Sequence, residues 1–180
     1  MVSWGKAENA GRYDVLAAYC GKDAPKPVRT VSAKSEPVIK ITSLDGKKID
    51  RTKNIKVRVI AYRKVDGQYT RMGATLIAHV TGGQGRISGF TNARKVTVQK
   101  DSYTLKTGKT AVVRATTIPE VQGKKLLGEN HAARYRYTSD NKAVATVDEN
   151  GKTTAVGKGT CRIYVYAQNG TSQKVSVTVK

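Results

Sequence analysis

Arginine and tyrosine interleave twice in this chain, at Arg134-Tyr135-Arg136-Tyr137 and at Arg162-Ile163-Tyr164-Val165-Tyr166. Side chains of an extended strand alternate between its two faces, so Arg162, Tyr164 and Tyr166 fall together on one of them. Arginine beside tyrosine can stack on a sugar or a base and hold an anionic group at the same time. Ordinary cross-strand pairing on a solvated sheet uses the same residues and needs no ligand, and it is the simpler reading. If a ligand is bound, Arg134, Arg136, Arg162, Tyr164 and Tyr166 are its candidate contacts, with the loop 119–131 beside them.

Other reactive residue types are few. The two cysteines, Cys20 and Cys161, make no disulfide framework. Cys161 is expected to face inward as a small hydrophobe. Cys20 sits at a strand end, on the face opposite Tyr13 and Val15, where an exposed thiol could react or cross-link chains. The two histidines, His79 and His131, fall in different halves of the chain, with no cysteine or second histidine close in sequence. A zinc site needs three or four converging ligands, so no metal and no cofactor is expected. The carboxylates are scattered without a calcium-loop spacing. There is no Gly-x-Ser-x-Gly elbow and no phosphate loop ending in Gly-Lys-Ser/Thr. Gly82-Gly83-Gln84-Gly85 leads into no helix that could point a positive dipole end at a phosphate. Asn169-Gly170-Thr171 fits a glycosylation triplet, but a hairpin turn explains it without further assumption. The chain is therefore read as not an enzyme.

The elements that must carry these residues are short and extended. Ile55–Tyr62 alternates with Ile55, Val57, Val59 and Ala61 on one side. Arg12–Tyr19 places Tyr13, Val15, Ala17 and Tyr19 on one side, and Thr160–Ala167 does the same with Cys161, Ile163, Val165 and Ala167. Ala111, Val113 and Ala115 form a further alternating set, and Gln173–Lys180 a last strand. Asp66-Gly67, Asn150-Gly151 and Asn169-Gly170 are hairpin turns. Strands at this spacing predict a sandwich or barrel. Residues 81–92 contain four glycines and interrupt the rhythm, which leaves about ninety residues on each side, near the size of an immunoglobulin-type sandwich.

Charge is high but evenly spread. The 180 residues carry +20; residues 1–92 hold 17 basic and 7 acidic residues, residues 93–180 hold 16 and 6, and each half is thus +10. Runs such as Lys56-Val57-Arg58-Val59 put the bases on the solvent face of strands, as expected for a solvated basic surface. An anionic partner is the alternative. No stretch is long and apolar enough to span a bilayer, so no membrane insertion is expected. No signal peptide opens the sequence, which fits a module from inside a larger exported protein or a cytosolic chain.

The second half resembles the bacterial Ig-like domain of group 2. The segment that carries the likeness runs from Tyr137-Thr138-Ser139-Asp140-Asn141 through Ala145-Thr146-Val147 and Asn150-Gly151 to Gly157-Lys158-Gly159-Thr160. Tyr137 stands where that family usually has tryptophan, and Thr153 where it usually has an aliphatic residue. The first half looks like a fibronectin type III module, on Val2-Ser3-Trp4, Tyr13-Asp14-Val15 and Ile55–Tyr62. Ile55 replaces that family's usual tyrosine, so the tyrosine-corner hydrogen bond is expected to be missing. Its first strand, which should precede Trp4, is expected to be missing too, leaving an edge that could pair with another chain.

These resemblances imply an all-β fold of two immunoglobulin-like β-sandwiches in tandem. A fibronectin type III-like sandwich would occupy residues 1–81, a Gly-rich linker 82–92, and a group 2 bacterial Ig-like sandwich 93–180. They imply an extracellular or cell-surface place, as part of a longer precursor, and a non-catalytic role as spacer or stalk. Adhesion or carbohydrate binding could accompany that role, with anionic glycans, cell-wall polymers or host surface proteins as partners. The chain is expected to be a monomer, apart from edge-strand association. Two rivals stand beside this reading: accessory domains of a secreted glycoside hydrolase, and a basic nucleic-acid-binding protein. The even charge distribution argues against the second.

Overall fold

The computed structural model describes residues 1–21, 23–83 and 88–180. Among the described residues there are eighteen β-strands and no helix. The chain forms two compact units, Met1–Ser88 and Gly89–Lys180.

The first unit contains β1 (Val2–Ser3), β2 (Arg12–Tyr19), β3 (Lys26–Ser32), β4 (Val38–Ile39), β5 (Ser43–Leu44), β6 (Lys47–Lys48), β7 (Ile55–Val65), β8 (Gln68–Ala74) and β9 (Ala78–Val80). The main sheet runs β3-β2-β7-β8, and β9 joins the same edge of β7 beyond β8. β2 and β7 pair along their length, with Val15 opposite Val59 and Ala17 opposite Val57. That register puts the apolar set of each strand on one face. Tyr13, Val15, Ala17, Val57 and Val59 are buried there with Leu44, and Trp4, Ile39, Ile41 and Ile49 pack against them. Two short pairs, β1-β4 and β5-β6, lie outside the main sheet. Pro27 lies in edge strand β3, where a missing N–H is tolerated, and the register slips beside it between Val15 and Leu16.

Tyrosine hydroxyls hold the loops of this unit. Tyr13 Oη accepts the Ala7 N–H at 2.8 Å, and Tyr19 Oη accepts the Asp50 N–H at 2.7 Å. Ile55 is half-buried at the start of β7. Of the residues 82–92 read as a linker, 84–87 lie outside the described residues. Gly82 packs so closely on the carbonyls of Arg51 and Lys53 that a Cβ would collide with them. Glycine is needed there for close approach rather than for flexibility.

The second unit contains β10 (Ala93–Val98), β11 (Ser102–Leu105), β12 (Thr110–Val112), β13 (Ala115–Pro119), β14 (Tyr135–Ser139), β15 (Ala145–Val147), β16 (Lys152–Ala155), β17 (Gly159–Ala167) and β18 (Ser172–Val179). A four-stranded sheet, β11-β18-β17-β14, is accompanied by a three-stranded sheet, β12-β16-β15, and by the pair β10-β13. β11 runs parallel to β18, and the other pairs are antiparallel. Between the sheets lie Val113, Ala145, Ala155, Cys161, Ile163, Val175, Val177 and Val179. A neighbouring cluster gathers Ala93, Val96, Val165 and Ala167.

The structure changes one sequence expectation in this unit. Ala111, Val113 and Ala115 do not lie on one continuous strand: the chain leaves β12, which pairs with β16, and enters β13, which pairs with β10. Val113, 1% exposed, sits at that crossing, where it fills the core between the sheets. The loop 119–131 is tied into the fold. Leu127 is buried, Lys125 bridges to Phe90, and the Gln168 amide donates to the carbonyls of Leu127 and Ala132 at 3.0 and 2.7 Å.

Candidate functional site

β17 carries the sequence-predicted residues onto the outer face of the four-stranded sheet. Its odd-numbered positions Cys161, Ile163, Val165 and Ala167 are buried, so Arg162, Tyr164 and Tyr166 point away from the core. The two tyrosine rings lie 6.2 Å apart with planes 24° from parallel. Register supplies their neighbours. Arg136 of β14 lies opposite Tyr166, and Thr138 opposite Tyr164. On the other side Lys174 of β18 lies opposite Tyr164, and Ser176 opposite Arg162.

The five predicted residues do not behave alike. Arg136 is half-buried at one end of the sheet, and its Nη2 donates to the carbonyls of Ala167 and Gln168 at 3.0 and 3.2 Å. Burial pushes its guanidinium below the usual arginine value, an effect partly offset by Tyr166. Arg134 precedes β14 and pairs with Glu129 of the loop at 2.9 Å. Arg162 remains exposed, and its backbone N–H donates to Asp140 Oδ1 at 2.8 Å. Lys174, also exposed, was not singled out by the sequence. Its strand reads only as an alternating apolar run, and just the register with β17 shows that it stands beside Tyr164.

Other chemistry-bearing residues are built into the framework. Cys161 is buried, and burial raises its thiol above the usual value, as does Asp140, against a lowering bond from Ser139. Cys20 is half-buried rather than exposed, and burial raises its thiol too, against the lowering effect of Lys56. Its Sγ lies 3.7 Å from Nδ1 of His79, a partner that sequence separation concealed. Both cysteines are free thiols. Asn169 donates to the carbonyl of Ala93 at 2.9 Å and to Thr171 Oγ1 at 3.1 Å, so its amide serves the turn. In the first unit, Arg12 lies over the rings of Tyr62 and Tyr69 at 4.8 and 4.3 Å. Arginine–tyrosine stacking there is satisfied within the fold.

The first unit also has an open groove of about 420 Å³. Trp4, Tyr13, Val59, Ala61 and Met72 line it, with Glu8 as its carboxylate. Trp4 meets Tyr13 edge-on at 5.5 Å. This arrangement offers apolar contact and one acidic group.

Residues 92–179 match the family model for the bacterial Ig-like domain (group 2). No curated protein matches the sequence. Among solved structures, domains 4 and 5 of the S-layer protein SbsC are 18% identical over 70% of this chain and 64% of that one, with a TM-score of 0.41. Domains 1–6 of the same surface-layer protein are 17% identical over 96% of this chain and 20% of that one, at 0.41. A C-terminal 282-residue fragment of intimin, solved with the intimin-binding domain of its translocated receptor, is 13% identical over 99% of this chain and 56% of that one, at 0.36. The chain spans less than two thirds of each of these three.

Proposed function

We propose that residues 92–179, which match the family model for the bacterial Ig-like domain (group 2), are such a domain, and that the chain is a non-catalytic module of a larger bacterial exported protein, displayed at the cell surface as a spacer. The family match carries the reading. The all-β architecture supports it, because each unit closes a core of alternating strands and so supplies a stiff body. In this reading residues 1–81 are a fibronectin type III-like sandwich, 82–92 the junction and 93–180 the Ig-like sandwich. Two compact units are consistent with that division. The spread of the +20 charge suits a module held near anionic cell-wall polymers or glycans. Adhesive contact falls to the outward face of β17, with Arg162, Tyr164 and Tyr166.

Antibodies raised against the chain test the reading on the source cells. Intact, unpermeabilised cells should label, and brief external protease should remove the label. Labelling that requires permeabilisation would overturn it.

A further inference from the structure

The outer face of β11-β18-β17-β14 has an unusual composition. Twelve strand positions point outward: seven are serine or threonine, two tyrosine, two arginine and one lysine. Among the described residues of these four strands, none of the outward positions is a carboxylate. Asp140, at the rim, is engaged by the Arg162 backbone N–H.

Resting on the surface-module reading above, we propose that this face binds an anionic polysaccharide. Sugar rings lie on Tyr164 and Tyr166, and ring-borne carboxylate or sulfate groups lie on Arg162 and Lys174. Three observations carry the assignment. The near-parallel tyrosines form a strip of aromatic surface along β17, suited to the C–H faces of consecutive sugars. Arg162 and Lys174 are diagonal neighbours across β17 and β18, their backbones about 7–8 Å apart, so both flank Tyr164. The surrounding hydroxyls donate and accept hydrogen bonds, matching a ligand whose own edges are hydroxyls.

Arg136 acts as a positioning residue. Its bonds to the carbonyls of Ala167 and Gln168 fix the end of β17 and place its charge beside Tyr166. That leaves two exposed cations for the ligand. A nucleic acid demands a track of Lys and Arg following its phosphates, and a face dominated by Ser and Thr does not supply one.

The test is calorimetric titration of the full chain at physiological ionic strength. The probes are a heparin-derived hexasaccharide, an oligogalacturonate hexamer, cellohexaose, and a thymidine oligonucleotide matched in charge. At least one anionic hexamer should bind saturably, and cellohexaose much more weakly. Tyr164→Ala and Tyr166→Ala should each weaken binding roughly tenfold, as expected for loss of a stacking ring. Arg162→Gln combined with Lys174→Gln should do at least as much. Lys95→Gln combined with Lys152→Gln removes the same charge from β10 and β16, strands outside this sheet, and should leave affinity unchanged. Amide spectra confirm that β17 is intact in each variant.

Equal weakening by the Lys95/Lys152 pair would reduce the site to bulk charge and overturn the proposal. So would no saturable binding, equal affinity for cellohexaose, or tighter binding of the oligonucleotide through the same residues. A chain that labels at the cell surface yet binds neither anionic hexamer sinks this inference alone. A chain found inside the cell sinks the spacer reading, whatever it binds.

Discussion

At the scale of single residues, burial decides what each reactive group can do. Cys161 faces the core opposite Val177, and its thiol is held above the usual value chiefly by desolvation. Tyr137 is raised the same way, first by burial and then by Tyr135 and Asp148. Each group therefore keeps its proton to a higher pH folded than unfolded. The stability this contributes is complete below the ordinary thiol value, about 8.5, and is lost as pH rises from there through the raised folded value. Tyr137 adds a second loss at more alkaline pH. In Cys161→Ala, hydrogen exchange of β17 amides should therefore lose less protection per pH step just above the thiol range than in the parent chain. The slope is the readout, since the smaller side chain lowers protection at every pH. An unchanged slope would assign the alkaline loss to Tyr137 alone. The inward place of Cys161 was legible in the sequence because alternation fixes it. The half-burial of Cys20 was not, because its cover includes His79, 59 residues away.

At the scale of elements, the turn between β15 and β16 shows why a local signal can be read with assurance. Gly151 has φ +77°, and a Cβ there would stand 2.7 Å from the Val113 carbonyl and 2.9 Å from the Tyr137 ring. Asp148 Oδ1 accepts the N–H groups of Asn150 and Lys152, both at 2.9 Å, and closes the turn. Gly108 also has a positive φ, +80°, but open space around its Cβ position. Gly108→Ala should cost about 1–2 kcal/mol for the backbone alone. Gly151→Ala should cost clearly more, because carbonyl and ring must both move. Urea denaturation of the two variants measures the difference, and equal costs would mean that the packing of Tyr137 yields freely. Asn-Gly between alternating runs announced this turn, and alternation announced β7 and β17. The parallel pairing of β11 with β18 was not legible, since alternation tells which face a residue occupies and not which strand lies beside it. Lys174 stayed hidden for that reason. The break between β12 and β13 was hidden too, because a strand that changes sheets keeps its apolar period while its partners change.

At the scale of the whole molecule, the sequence contains two complete sets of core-forming strands, and each closes on residues of its own unit. Val57 packs with Tyr13, Val15 and Leu44; Ile163 packs with Ala145, Val175 and Val177. A carboxylate at either position enters an apolar interior with no partner, at an effective penalty of several kcal/mol. That is comparable with the entire stability of a small domain, about 5–15 kcal/mol. The chain provides its own reporter, because its single tryptophan, Trp4, packs against the first core. Val57→Asp should therefore abolish the cooperative change in Trp4 fluorescence on heating while a transition in β-sheet circular dichroism remains. Ile163→Asp should do the reverse, keeping the Trp4 transition and removing the other. Loss of both signals from either substitution would mean that neither core is sufficient for its own unit. The two-sandwich reading would then give way to one shared folding unit, and a spacer of separable bodies would no longer describe the chain.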